Sequence, residues 1–280
     1  MKIKITSDST CDLPQELLLK NDIALIPLCV VMDGKEYSDG VNITPAEIFQ
    51  HVAQGGELCT TAALNPEAYH SYFEKYVSQY DAVIHISIGS LFSSTYQNAC
   101  IAASDFQNVQ VIDSCSLSTG QGLVVLNARK FAESSSDLDE IVRKTQEFTK
   151  KVEISFVLDR LDYMVKGGRC STATALGANL LNLKPCIEVK DGKMVVVKKY
   201  RGNYTKCLHN YITDRLAGRT DIDTDTLFVT KAPVSPEAID AVKAKLSQCQ
   251  DFKNQYWTDV GCTVSCHCGP GTLGIIFARK

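Results

Sequence analysis

The chain has 280 residues, of which 45% are hydrophobic and 22% are charged. These values are ordinary for a soluble globular protein, and the length suits one large domain or two modest ones. A net charge of -3 gives no electrostatic reason to expect nucleic acid or an anionic membrane surface as a partner. No apolar run in the sequence approaches the length that spans a bilayer.

The twelve cysteines are scattered and lie mostly in apolar segments, as small buried hydrophobic residues do. Residues 1–5 form a strand pattern and no secretory signal. We therefore expect a cytoplasmic protein with reduced thiols. Cys262, Cys266, His267 and Cys268 suggest zinc, but Cys-x-x-x-Cys-x-Cys without a second Cys/His pair is a weak signal, and we expect no metal.

The first half of the chain predicts alternating strands and helices. Its predicted strands are Lys2–Thr6, Ile23–Met32, Lys35–Tyr37, Ala82–Ile88 and Val109–Ile112. Helices are expected after Pro14, from Thr44 to Gly55, after Asn65, after Ser94 and over Gly120–Phe131. Asp33-Gly34 is a strong hairpin signal, whereas residues 59–62 are expected to form a polar link. This alternation is typical of a mostly parallel sheet.

Hydroxyl side chains follow three of these strands. The clusters are Ser7–Thr10, Ser90–Thr95 and Ser114–Ser118. In an open α/β sheet, ligands bind at the carboxyl ends of the strands, and a helix N-terminus favours anions. The repeated clusters therefore predict a hydroxyl-lined site for a polar or negatively charged head group. The alternative is an ordinary helix cap formed by Ser93 or Ser94.

The pattern changes near Lys150. Predicted helices beyond this residue are Leu161–Val165, Ser171–Leu181, Tyr204–Ala217 and Ser235–Gln248. Strands are expected over Glu153–Leu158, Pro185–Val189, Met194–Lys199, Thr226–Lys231, Tyr256–Val260 and Leu273–Phe277. We therefore predict two domains: residues 1–150 as an N-terminal α/β domain with a mostly parallel sheet, and residues 151–280 as a C-terminal α+β domain with a mixed sheet.

Several enzyme signatures are absent from the sequence. No G-x-x-x-x-G-K-[ST] phosphate loop occurs, and Gly120-Gln121-Gly122 lacks the third glycine of a dinucleotide fingerprint. No G-x-S-x-G nucleophile elbow is present, which weakens the case for a serine hydrolase. His267 lies before the glycine-rich stretch Gly269–Gly274, where the backbone can approach a ligand closely. From these residues alone, His267 is as consistent with a structural role as with ligand binding.

Taken in order along the chain, several segments resemble the DegV family. They are Ser7–Pro14, Ser93–Gln97, Asp113-Ser114, Leu161–Tyr163 with Lys166–Arg169, Arg201-Gly202, and His267–Gly271. The resemblance implies a two-domain fatty-acid-binding protein with the acyl chain in a tunnel between the domains. It also implies that hydroxyls and a histidine hold the carboxylate, which the protein presents to a separate bacterial fatty-acid kinase. That kinase would form an acyl phosphate for phospholipid synthesis.

The resemblance assigns candidate roles to individual residues. For the fatty-acid carboxylate they are Thr60, Thr61, Ser93, Ser94 and His267. For phosphotransfer or kinase contact they are Lys166, Arg169 and Arg201. Ser94 stands where the family commonly has glycine, which adds a hydroxyl. The Gln-Pro that usually follows the Thr-Thr pair is absent, so the sequence leaves open whether Thr60 or Thr61 contacts the carboxylate.

Our main prediction is a carrier with no intrinsic turnover and no cofactor, whose ligand is a long-chain fatty acid. A transient contact with a membrane during ligand exchange belongs to the same prediction. The alternative is an enzyme, either a hydrolase or a phosphotransferase, that uses Ser93 with His267. The missing nucleotide loop and nucleophile elbow favour the carrier.

Overall fold

The computed structural model describes residues 1–174 and 183–280. The predicted helix Ser171–Leu181 is described only over Ser171–Thr174, and its other residues lie outside the described ones. The chain divides into two compact units. The first unit contains Met1–Thr44, Cys59–Val152 and Gly261–Thr263, and the second contains Pro45–Leu58, Glu153–Val260 and Val264–Lys280. Each unit is therefore built from several chain segments, and the domain boundary near Lys150 stays a prediction.

The strands of the described residues are β1 (Ile3–Asp8), β2 (Ile23–Ile26), β3 (Cys29–Met32), β4 (Lys35–Ser38), β5 (Thr60–Ala62), β6 (Ala82–Ser87), β7 (Val109–Asp113), β8 (Val152–Leu158), β9 (Leu183–Lys190), β10 (Lys193–Arg201), β11 (Ile222–Lys231), β12 (Asn254–Asp259) and β13 (Thr272–Arg279). They form a four-stranded, a six-stranded and a three-stranded sheet.

The helices of the described residues are α1 (Gln15–Lys20), α2 (Pro45–Ala53), α3 (Pro66–Val77), α4 (Thr95–Ala103), α5 (Ser118–Ser134), α6 (Leu138–Thr149), α7 (Asp162–Gly167), α8 (Ser171–Thr174), α9 (Tyr204–Leu216), α10 (Pro236–Cys249) and α11 (Cys262–Cys268). A 3-10 turn, Ser9–Cys11, follows β1. In the part of the chain that the structure describes, none of these helices is both long and apolar enough to cross a membrane.

The first unit is built on a parallel sheet in the order β2-β1-β6-β7. Helices α3 and α4 cover β6 and β7 with one apolar cluster, in which Tyr69 and Phe73 pack with Val83, Ala99 and Val109. Helix α5 packs against β1 and β6. The predicted α/β class with a mostly parallel sheet is confirmed.

A second, small sheet of the first unit corrects two predictions. The predicted strand Ile23–Met32 is two strands, because Pro27 cannot donate to a ladder and separates β2 from β3. Residues 59–62 are not only a link, since Thr60–Ala62 forms β5 and pairs antiparallel with β3. The hairpin at Asp33-Gly34 is confirmed, with both residues at positive φ.

The second unit contains the mixed sheet, in the order β10-β9-β8-β13-β11-β12. Strands β9 and β10 form the predicted antiparallel hairpin, whereas β11 and β12 are parallel. Helices α9 and α10 bury Leu208, Tyr211 and Val242 against Leu227 and Phe277 of the sheet. The predicted mixed-sheet α+β architecture is confirmed.

Helix α11 corrects the prediction for the tail of the chain. The sequence suggested a glycine-rich turn leading directly to the last strand, but residues 262–268 form a helix whose last turn contains His267. The turn is confined to Gly269, Pro270 and Gly271, and both glycines have positive φ. His267 is therefore held by a helix, and the turn follows it.

Candidate functional site

The carboxyl ends of β1, β6 and β7 lie side by side, because these strands are neighbours in a parallel sheet. Each end continues into one of the hydroxyl-rich segments expected from the sequence. The N–H of Gly89 donates to the carbonyl of Ser116 at 2.7 Å, which joins the loops after β6 and β7. A Cβ at position 89 would come within 2.9 Å of the Ser116 backbone nitrogen. Glycine is thus required for this close packing.

A buried carboxylate, Asp8, organises the same edge of the sheet. Its Oδ2 accepts the N–H of Ile88 at 2.8 Å, and its Oδ1 accepts the N–H of Thr10 and the side-chain amide of Gln121. Burial raises the pKa of Asp8, whereas these donors lower it. Asp8 therefore fixes the start of the loop that leads to Ser93 and is saturated by protein donors.

Ser93 and Thr95 form a hydroxyl pair at the start of α4, with 2.7 Å between Oγ and Oγ1. Ser93 Oγ also accepts the N–H of Thr95 at 3.2 Å. Ser93, one residue before the cap position, therefore supplies the hydroxyl acceptor at the start of α4. Ser94 occupies the cap position without a side-chain bond and is exposed. The Thr95 hydroxyl is part of this site, although the sequence reasoning selected only the serines.

The Thr60 and Thr61 side chains point to opposite faces of β5, because successive residues of a strand alternate. Thr60 is exposed and Thr61 is half-buried, and Thr61 pairs with the fully buried Val30 of β3. Further along the same segment, the Leu64 carbonyl accepts the side-chain amide of Asn98 on α4 at 2.7 Å. This bond joins the segment that follows β5 to the helix that begins after Ser93.

His267 lies in the second unit, in the last turn of α11. A Cβ on Gly167 would come within 2.3 Å of His267 Nδ1, so the imidazole packs directly on the backbone of α7. Burial, together with the positive charge of Arg169, lowers the pKa of His267 to about 4. At neutral pH the ring is uncharged and can present an N–H donor to an acidic ligand.

The three basic candidates are also in the second unit. Lys166 lies in the last turn of α7 and Gly168 caps that helix in the left-handed conformation, so the predicted glycine loop is partly helical. Arg169 is exposed, and its Nη1 donates to the Gly167 carbonyl at 2.7 Å. Arg201 ends β10 and is exposed. Lys166 and Arg169 thus lie on either side of Gly167, the residue on which His267 packs.

The chemistry of these groups is that of anion recognition. The first unit supplies hydroxyl donors, and the second supplies a neutral imidazole and exposed cations. Within residues 1–174 and 183–280, no group of three or more His, Cys, Asp or Glu side chains could hold a metal ion. All twelve cysteines have free thiols.

A family model described as "Uncharacterised protein, DegV family" matches residues 2–280. A DegV domain-containing protein of Clostridium acetobutylicum is 32% identical over all of this chain and 99% of its own. A solved structure described as fatty acid binding of a DegV family protein from Thermus thermophilus has a TM-score of 0.90 at 28% identity, covering 100% of both chains. A stearic acid-binding protein of Eubacterium ventriosum has a TM-score of 0.85 at 27% identity, over 99% of this chain and 98% of that one.

Proposed function

Because this chain belongs to the DegV family, we propose that it binds a long-chain fatty acid and presents the carboxylate to a separate fatty-acid kinase. The observation that carries the binding proposal is the similarity along the full chain to the Thermus thermophilus protein, whose structure is described as fatty acid binding. The tunnel for the acyl chain, expected from the resemblance, remains a prediction.

Ser93 is the first candidate for contact with the carboxylate. A buried carboxylate is costly unless it accepts hydrogen bonds. Ser93 Oγ already accepts the N–H of Thr95, and the Thr95 hydroxyl lies at 2.7 Å. When Thr95 donates to Ser93, the proton of Ser93 is available for a ligand oxygen, and each bond in such a chain polarises the next. Thr95 therefore supports Ser93 as a donor.

Thr61 and His267 complete the proposed set of carboxylate ligands. Thr61 is preferred over Thr60, because Thr60 is exposed on the opposite face of β5. Ser94 has a more peripheral role because its side chain is exposed. His267 donates as a neutral ring, and a bound carboxylate would raise its pKa by favouring the charged form.

The kinase part of the proposal rests on the exposed cations Lys166, Arg169 and Arg201. Guanidinium groups bind phosphate oxygens in a bidentate manner, which suits a role at the carboxylate during phosphate transfer. We propose that the chain supplies the bound acyl group in the cytoplasm for phospholipid synthesis, while its partner supplies ATP. Turnover by the chain itself is not part of this proposal.

The binding proposal is tested by native mass spectrometry of the purified protein after incubation with oleic acid. We expect one bound fatty acid per chain, and Ser93→Ala and Thr61→Ala should each weaken binding by about 1–3 kcal/mol, because each removes a donor to a buried charge. The matched control is Ser104→Ala at the C-terminal end of α4, where the hydroxyl donates to the Ile101 carbonyl. An empty protein with esterase turnover would instead support the enzyme that uses Ser93 with His267.

The presentation proposal is tested with ATP and a purified fatty-acid kinase subunit. Arg169→Ala should retain the fatty acid and lower acyl-phosphate formation about tenfold or more, since it removes a charge-assisted donor. Arg143→Ala is the control, because Arg143 is exposed and paired with Glu147 one turn along α6. Lost binding with normal transfer from the remaining complex would contradict the role given to Arg169.

A further inference from the structure

Two buried carboxylates receive the first N–H groups of α11. Asp12 Oδ1 accepts the N–H of Gly261 at 2.9 Å. Asp39 accepts the next two groups, through Oδ1 from Cys262 at 2.9 Å and through Oδ2 from Thr263 at 3.1 Å. Asp12 and Asp39 are 8% and 5% exposed, so water does not compete strongly for these bonds. We call Asp12 and Asp39 the acidic clamp.

Each clamp residue is itself fixed by a serine. Ser118 donates to Asp12 Oδ2 at 2.5 Å, and Ser9 donates to Asp39 Oδ2 at 2.9 Å. The clamp also depends on a glycine, because a Cβ at position 261 would come within 2.7 Å of Asp12 Oδ1. A larger residue would force either the start of the helix or the Asp12 side chain to move, and either movement disturbs their hydrogen bond.

The acidic clamp supplies hydrogen-bond acceptors that α11 lacks on its own. A helix of this length is marginal in isolation, and its first N–H groups have no partners within the helix. Carboxylates at an N-terminus supply acceptors and also stabilise the helix dipole. The Sγ of Cys262 adds a bond to the Ile43 carbonyl at 3.2 Å. The start of α11 is therefore set by residues more than 200 positions earlier in the chain.

The other end of α11 contains His267, about one and a half turns beyond the clamped groups. A helix is stiff over this distance. The position of its first turn therefore sets the rotation of α11 about its axis and the position of the His267 imidazole along that axis. We propose that Asp39 and Asp12 are positioning residues, which act through α11 to hold His267 in the orientation that binds an acidic ligand. This inference rests on the proposed function for the choice of ligand, but the positioning can be measured without it.

Asp39→Asn is the main test, with Asp8→Asn as a matched control. In Asp39 and in Asp8, both carboxylate oxygens accept a backbone N–H group. The asparagine side chain therefore places its NH2 group against one of these N–H donors in either orientation. Only Asp39 contacts α11. The His267 ring is titrated by NMR in each protein without ligand, and the dissociation constant of oleic acid is then measured.

In Asp39→Asn we expect the His267 pKa to rise by about one unit, because a displaced ring is less buried, and oleic acid to bind about tenfold more weakly. Asp8→Asn should leave the titration of His267 unchanged. Gly261→Ala, which keeps both carboxylates, should reproduce the Asp39→Asn result and replaces it if that variant does not fold. An unchanged titration in the clamp variants, or an equal shift in Asp8→Asn, would overturn the proposal. If the shift is confined to the clamp variants but the wild type binds no oleic acid, the positioning stands and the proposed function fails.

Discussion

His85 is fully buried and His267 is partly buried, and their surroundings differ. His85 lies on β6 and is fully buried, with its ring edge-on to Tyr69 and Phe73 at 5.4 Å between centroids, and its Nδ1 lies 3.0 Å from Thr6 Oγ1. His267 packs on the backbone of Gly167 and lies within the electrostatic influence of Arg169. Burial lowers the pKa of His85 to about 3 and that of His267 to about 4.

A lowered pKa therefore does not separate a core histidine from one that is proposed to bind a ligand. The neighbours separate them, because an aromatic shell excludes polar ligands, whereas a helix end beside an exposed cation can admit one. We assign His85 to the core and keep His267 in the proposed site, and three experiments test this distinction.

The largest expected effect is on stability. His85→Ala should lower the free energy of unfolding by about 3 kcal/mol, since it empties a space lined by aromatic rings. His267→Ala should cost less than about 1.5 kcal/mol, because its ring is at the end of a short helix and covers mainly backbone. Urea unfolding of both variants at neutral pH measures the difference. Equal losses would place His267 in the core with His85.

The second effect is on the response to acid. Each folded-state pKa is below the usual 6.5, so the unfolded chain binds more protons as the pH falls below about 6.5, and each histidine then removes stability. The contribution of His267 should level off near pH 4 and that of His85 near pH 3, each with a slope of at most about 1.4 kcal/mol per pH unit.

The contributions are isolated by subtracting the pH profiles of His267→Gln and His85→Phe from that of the wild type. Subtraction is needed because burial raises the pKa of Asp8 and Asp12, and protonation of these carboxyls acts in the opposite direction. Identical difference profiles for the two variants would contradict the separate pKa values.

The smallest effect is a change in one titration. Oleic acid should raise the pKa of His267 by about one unit, because a carboxylate favours the charged ring, and should leave His85 unchanged. NMR titration of both rings measures this effect, and oleyl alcohol is the control, with the same chain and no charge. An equal shift with the alcohol would mean that the ring responds to the chain and not to the head group.

Regular elements with local signals were predictable from the sequence. The Asp33-Gly34 hairpin, the parallel strand Ala82–Ser87 and the helix after Asn65 each have a turn residue, an apolar run or a cap in their own sequence. Strand β5 was missed because its three residues, Thr60–Ala62, are stabilised by pairing with β3. Its pattern of two threonines and an alanine carries no signal of that partner.

Only part of the candidate site was predictable from the sequence. The hydroxyls after three strands were visible, because parallel strands place their carboxyl ends at one edge. Helix α11 and its clamp were not visible, since the acceptors for its first turn are Asp12 and Asp39, and nothing near Gly261 indicates them. Thr95 belonged to the expected hydroxyl cluster but was not chosen as a carboxylate candidate, because its role depends on the Ser93 hydroxyl 2.7 Å away.

Gly167 and Gly168 are required for different physical reasons. Gly168 has a φ of +68° with open space around its α carbon, so its restriction is conformational, whereas Gly167 is restricted by the imidazole that lies where a methyl group would be. Positions 167 and 267 are therefore coupled in any mutant library. Alanine at 167 should be recovered mainly in clones that have also replaced His267 with a smaller side chain. At position 168 no substitution at 267 can relieve the strain, so position 167 should covary with the histidine and position 168 should not.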